Sequence, residues 1–302
     1  MIKNIIGRNN CLPQLLRDAM LGFAVGNAMG MPYKGTKRGG SKIPPKMVGV
    51  RAKHQPAGTW SDETALSLAT MASIAECGEV VPENMMRHFA EWYFHGKYSA
   101  GSVALDAERT TRRAIENYQK NQSVAPPIEG DNGNGALMRI LPLAFLPDGV
   151  EWIETVAQLT HADPTSTAAC QIYVAVAKAL ISGATIRNAV AAGQESAPAL
   201  FHRLSGLHSI PTTDIRSTSY AVHTLEAALW CLLRTTNYRD TIMLAIYLGD
   251  ETGTIAALAG GLAGIFYGRG QRNERIPRRW LVKLRGRRKV NAVCKKMAKA
   301  IF

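Results

Sequence analysis

At 302 residues, 46% hydrophobic and 20% charged, the chain can bury one large core and needs no disulfide staples. Its net charge of +13 sits almost wholly in residues 268–302, which carry 13 Lys/Arg against one acid, Glu274, while the rest is near neutral. The start "MIKNIIGRNNCLPQ" lacks the apolar stretch of a secretory leader. Nowhere do roughly 18 apolar residues run uninterrupted as a membrane span requires, so a cytoplasmic protein without membrane contact is expected.

Apolar residues recur at three and four spacing along nearly the whole sequence. The pattern holds in "LPQLLRDAMLGFAVG", "ETALSLATMASIAE", "PENMMRHFAEWYF", "STAACQIYVAVAKALI" and "YAVHTLEAALWCLLRT". Sustained period-two alternation is missing. Loops are marked by "KRGGSKIPPK", "QSVAPPIEGDNGNG" and "SGLHSIPTTD". The expectation is an all-α single domain of about ten helices over 15–284, behind an N-terminal extension, 1–14, and ahead of a basic C-terminal helix, 285–302. Cys11, Cys77, Cys170, Cys231 and Cys294 are scattered without CxxC spacing, as structural thiols in a reducing compartment are.

Several helix starts carry chemistry. In "GTWSDETALSL", Ser61 is placed to cap a helix whose first turn holds Asp62 and Glu63, where carboxylates favour the helix dipole. Trp60 beside them reads as packing. In "LDAERTTRR", Asp106 and Arg112 read as support for the site or as surface residues. The loop "GDNGNGALMRILPLA" brings Asn132, Gly133, Asn134 and Gly135 into a helix start, where backbone amides free of side chains can cradle a phosphate. "LTHADPTS" sets His161 just after an apolar helix, and His223 and Glu226 in "YAVHTLEAALWCLL" read as a polar stripe on a core helix. "LGDETGTIAALAGGLAG" repeats the acidic helix start with Glu251 and Thr254, yet Gly253 stands where a second carboxylate would close a chelate. Two such helix starts facing across a cleft offer hard oxygen ligands suited to magnesium or manganese.

Taken in order, "GFAVGNAMGMPYKG", "PAGTWSDETALSL", "TTRRAIENY", "NGNGALMRILPLA", "THADPTSTAAC", "YAVHTLEAALWCLL" and "LGDETGTIAALAGGLAGIFYG" resemble the ADP-ribosylglycohydrolase family. That resemblance implies an all-α fold with an acidic cleft for divalent cations, and cleavage of ADP-ribose from modified side chains. It implies a metal set of Ser61, Asp62, Glu63, Glu251 and Thr254, with Asp62 and Glu63 as catalytic carboxylates. It further implies a diphosphate loop at Asn132–Gly135, and His161 near the nucleotide.

Departures cluster at the chemistry. The resembled pattern has an aspartate where Asn27 stands, a glutamate where Lys34 stands, and aspartates where Glu63, Glu251 and Gly253 stand. An ammonium roughly 4 Å from a divalent ion is repelled by about 8 kcal/mol at an effective dielectric of about 20. One magnesium or manganese site, or none, is therefore expected in place of two, with Lys34 balancing Asp62, Glu63 and Glu251. Two functions follow: an ADP-ribose-binding hydrolase whose glycosidic cleavage is weak, altered or lost, and an inactive binding or immunity-type protein acting through protein contacts. The basic tail reads as a solvated face or as a surface for an acidic protein, with nucleic acid the weaker alternative.

Overall fold

The computed structural model describes residues 11–40, 44–50, 54–122, 130–195 and 197–302. Residues 1–10 of the expected extension, and 41–43 and 123–129 of two expected loops, lie outside these. Thirteen α-helices and several short 3-10 turns account for the regular structure of the described residues. In chain order they are α1 (Leu12–Gly30), α2 (Asp62–Cys77), α3 (Pro82–His95), α4 (Arg109–Asn121), α5 (Leu137–Ile140), α6 (Ile153–Gln158) and α7 (Pro164–Ile181). Then come α8 (Ile186–Gln194), α9 (Ala221–Leu233), α10 (Tyr238–Tyr247), α11 (Thr252–Tyr267), α12 (Arg278–Lys283) and α13 (Arg287–Ile301). No strand forms among the described residues, only two isolated bridges, Val50 with Gln55 and Gly133 with Tyr220. The all-α reading holds.

Local chemistry places the helix ends. Pro82 and Pro164 open α3 and α7 where a missing amide costs nothing, and the left-handed Gly78 and Gly96 close α2 and α3. Asp163 accepts from Thr165 N at 2.8 Å, and Asn237 from Asp240 N at 2.9 Å.

α1 and α11 lie antiparallel at the centre of the core, and glycines let their backbones touch. A Cβ on Gly22 would come 2.3 Å from Gly260 O, and one on Gly26 would come 1.9 Å from Ala256 O. Along the same line, Thr252 Oγ1 donates to Gly30 O at 2.9 Å. This register sets the end of α1, and with it Lys34, beside the start of α11, and with it Glu251. Side chains larger than glycine at these positions would force the two ends apart.

The basic C-terminal segment is tied to the same region. α13 buries Val290, Cys294 and Met297 and packs on α1 and α2. Arg285 N donates to Gly58 O at 3.1 Å, and Lys289 Nζ to Ser99 O at 2.5 Å. Trp60, buried as expected of packing, lies against Gly286, where a Cβ would come 2.5 Å from its ring. All five cysteines are free thiols. No described helix is long and apolar enough to cross a membrane.

Candidate active-site cleft

The start of α2 is held by one buried amide. Asn27 Oδ1 accepts from Ser61 N at 3.0 Å and from Thr64 Oγ1 at 2.9 Å, which fixes its orientation and turns Nδ2 toward the site. That Nδ2 donates to Glu63 Oε2 at 2.8 Å and to Ser61 Oγ at 3.2 Å. Ser61 stands at the N-cap as expected, but its hydroxyl caps no amide and donates to Glu63 Oε2 instead. From the facing helix Thr254 Oγ1 donates to Glu63 Oε1 at 2.9 Å. Glu63 therefore draws Ser61 and Thr254 together with Asn27, in a pocket where each is almost fully buried.

Glu251 and Asp62 turn to other partners. Lys34 Nζ lies 3.5 Å from Glu251 Oε2 and 3.2 Å from Asp106 Oδ2, so Asp106 belongs to the site while Arg112 is exposed. Burial alone would lower the Lys34 pKa, but Glu63, Glu251, Asp106 and Asp62 together hold it well above its ordinary value. Asp62 Oδ2 accepts the backbone N–H of Glu108 at 3.2 Å. Burial, and then the Glu63 charge, push the Asp62 carboxyl well up, with Lys34 pulling the other way. Burial likewise raises Glu251 against the pull of Lys34. Burial thus favours the neutral form of Asp62 more than that of a free aspartate, while the other carboxylates can stabilise a cationic, oxocarbenium-like centre.

These residues fit a divalent cation poorly. Among the described residues no group of three or more His, Cys, Asp or Glu side chains is spaced to hold a metal ion. Glu63 has both oxygens engaged by Asn27, Ser61 and Thr254, and an ammonium pairs with Glu251. A Cβ on Gly253 would sit 3.2 Å from Glu63 Oε1, so the longer acid at 63 lies in the space beside 253.

Across from this cluster runs the glycine loop. Asn134 N donates to Ser219 O at 2.9 Å and Ala221 N to Asn132 O at 3.0 Å, pinning the loop to the start of α9. Ser166 Oγ donates to Gly133 O at 3.0 Å, and Asn134 Nδ2 to Thr224 Oγ1 at 3.0 Å. Asn134 and Gly135 are thus buried and partly engaged; Asn132 is exposed and Gly133 half-buried. Gly135 answers to packing, since a Cβ there would come 2.3 Å from His161 Cε1.

Sequence reasoning passed over Arg139 in "ALMRILPLA". Fully buried, it donates to Gly135 O, Val156 O and Ala157 O, each at 3.1 Å, and to Thr160 Oγ1 at 2.7 Å. The same Thr160 Oγ1 lies 2.6 Å from His161 Nδ1, so Arg139, Thr160 and the imidazole form one buried chain of hydrogen bonds. Burial, more than offsetting Glu108, lowers the His161 pKa to about 4, so the ring is neutral at neutral pH. Nε2 has no hydrogen-bond partner and faces Glu108 Oε2 at 3.5 Å. Glu108 also caps α4, accepting from Thr110 N and Thr111 N at 2.8 Å. No pattern in the sequence singled out Glu108, which joins the carboxylate cluster to the glycine loop. His223 and Glu226, on α9, are bonded to Thr218 and paired with Arg203 respectively.

The chain is an all-helical domain with two facing acidic helix starts and an adjoining glycine loop. The ADP-ribosylglycohydrolase family model matches residues 12–302, and the chain belongs to that family. It is 30% identical over 277 residues to ADP-ribosylarginine hydrolase Tri1 of Serratia proteamaculans (strain 568), covering 89% of this chain and 74% of that one. It is 33% identical over 276 residues to ADP-ribosyl-[dinitrogen reductase] glycohydrolase of Rhodospirillum rubrum, covering 88% of each. A solved structure described as an ADP-ribosylglycohydrolase-related protein complex superposes with a TM-score of 0.81 at 26% identity, covering 96% of this chain and 99% of that one.

Proposed function

We propose that the chain binds ADP-ribose, or an ADP-ribosylated protein, across the carboxylate cluster and the glycine loop, with hydrolysis of the ADP-ribosyl bond weak or altered. The observation that carries this is Glu108. Its backbone N–H meets Asp62 while its carboxylate faces His161 and the loop, so one extended ligand can touch both halves. In this reading the diphosphate lies against Asn132 and Gly133, the loop's accessible residues, with Asn134, Gly135 and His161 shaping the wall behind them.

For cleavage, the carboxylates at Glu63 and Glu251 would stabilise positive charge at the anomeric carbon, and Asp62, whose carboxyl burial raises, would donate a proton to the departing group. A carboxylate to take the proton of the attacking water is what position 34 does not supply; its ammonium disfavours both that proton transfer and the cationic carbon. Slow turnover follows. Tri1 is named for ADP-ribosylarginine, which makes that conjugate the first acceptor to try.

Calorimetric titration with ADP-ribose, and with ADP and ribose 5-phosphate as controls, tests the binding. Saturable binding of ADP-ribose with weaker binding of both fragments is expected. No binding by any of the three would sink the reading.

The second reading, a protein-binding or immunity-type role without catalysis, is favoured by the surface of the C-terminal helix. Lys295, Lys296 and Lys299 are exposed, and none has a carboxylate partner among the described residues. An acidic protein partner would bind there with steep salt dependence. Equal affinity for random duplex DNA would point to nucleic acid instead.

A further inference from the structure

We infer that Lys34 is the resident cation of the carboxylate cluster, and that the cluster, closed around it by neutral donors, takes no divalent ion. This goes beyond the ligand reading and does not depend on it, since it concerns what balances the acids whether or not ADP-ribose binds.

The carboxyl groups in question are Asp62, Glu63, Asp106 and Glu251, carried on three separate stretches of chain. Positive charge within reach comes from Lys34, whose Nζ pairs with Asp106 at 3.2 Å and with Glu251 at 3.5 Å. Its side chain, 36% exposed, enters over the rim and places Nζ between Asp106 and Glu251. A divalent ion placed between Glu251 and Asp106 would have to displace this ammonium or share its space at close range, where like charges repel strongly.

The deeper acid, Glu63, is balanced in another way. Its carboxylate accepts from the Asn27 amide, the Ser61 hydroxyl and the Thr254 hydroxyl, one of them from the opposite helix. Three neutral donors stabilise a buried carboxylate much as an ion would, without a second charge. The longer arm of Glu63 carries Oε1 to within 3.2 Å of where a Cβ of residue 253 would be. Glycine at 253 and glutamate at 63 therefore fit as a pair. A carboxylate restored at 253 alone would crowd Glu63 Oε1, which would have to give way before a chelate could form.

Asn27 completes the arrangement. Had it been an acid, a second carboxyl oxygen would have faced Glu63 Oε2, and a cation or a shared proton would have been needed to join the two. As an amide locked by Ser61 N and Thr64 Oγ1, it supplies the hydrogen itself.

The test uses the full chain after exhaustive chelation, with manganese binding followed by electron paramagnetic resonance and unfolding temperature recorded with and without Mn2+ or Mg2+. Wild type is expected to bind no manganese above a nonspecific background and to unfold at the same temperature in chelator and in metal. Lys34→Met is expected to unfold earlier and to regain part of the loss on adding Mn2+, because the acids then lack their cation. Lys34→Arg should remain indifferent to metal, and covers the case in which Lys34→Met does not fold. The triple variant Lys34→Met, Glu63→Asp, Gly253→Asp should bind Mn2+ saturably, roughly tenfold or more above the wild-type background, ligand charge and fit having been restored. Stoichiometric manganese on wild type with a raised unfolding temperature would overturn the inference, as would a folded Lys34→Met that gains no response to metal.

Discussion

Glu63 Oε1 and Thr254 Oγ1 meet at 2.9 Å across the two helix starts that frame the cleft, and this bond joins α2 to α11 inside the core. Its loss should be costly because both groups are buried. Glu63→Gln turns an acceptor into an amide that must face the donors Asn27, Ser61 and Thr254, and a loss of about 2–4 kcal/mol is expected in urea unfolding. Glu251→Gln removes only a partner of Lys34, which is partly exposed and keeps Asp106, so a loss under about 1 kcal/mol is expected. Equal losses would contradict the distinction drawn between the buried bond and the rim pair.

The two loop glycines should separate binding from folding. At Gly133 the nearest atom to an added Cβ is His161 Nε2 at 3.7 Å, ordinary contact, so Gly133→Ala should leave stability within about 0.5 kcal/mol. Any loss of ADP-ribose affinity in that variant reports the ligand surface. Gly135→Ala would drive a methyl into His161 at 2.3 Å and should destabilise by about 1–3 kcal/mol. Thermal unfolding of both variants decides, and comparable stability would mean that His161 moves aside freely.

Close approach of α1 and α11 makes Gly26 sensitive. A methyl there meets the backbone oxygen of Ala256 at 1.9 Å, and backbone cannot rotate away as a side chain can. Gly26→Ala should cost about 3 kcal/mol or more, at the upper end of overpacking effects. An unfolding midpoint within error of wild type would rule out this helix packing.

His161 supplies a pH dependence with a defined sign. Its pKa falls from 6.5 to about 4 because burial penalises the charged ring. Between those values the unfolded chain binds a proton that the folded chain refuses. The stabilisation is complete above about pH 6.5 and is lost as pH falls toward 4, by about 3 kcal/mol in all. Asp62 and Glu251, whose carboxyls burial raises, contribute the opposite slope, stability declining as pH rises through their folded values. Subtracting the profile of His161→Gln from that of wild type isolates the histidine, and the difference should grow as pH rises from 4 to 6.5. A flat difference would mean the ring protonates without cost.

Much of the fold was legible because helix formation here is periodic and local. Spacing of apolar residues announced the all-α domain; the acidic starts at Asp62 and Thr252 lie where carboxylates and hydroxyls precede apolar runs. The substitutions at Asn27, Lys34 and Gly253 could also be seen in the sequence, as departures from a resembled pattern. What they do to one another could not. In the sequence Asp106 reads equally as a surface or a site residue; in the structure, with a left-handed backbone of φ 64°, it pairs with Lys34.

Glu108, Arg139 and Thr160 drew no attention, since a glutamate before a helix, an arginine inside one and a threonine beside a histidine are common patterns. Only packing brought Glu108 between Asp62 and His161, and gave Arg139 four oxygens in place of water. By itself the sequence determined which groups could carry charge and where helices start, because those follow from neighbours along the chain. The tertiary structure decided which charges meet, which hydroxyls serve Glu63, and which glycines of the loop remain accessible, because those depend on approaches between residues as far apart as Glu63 and Thr254.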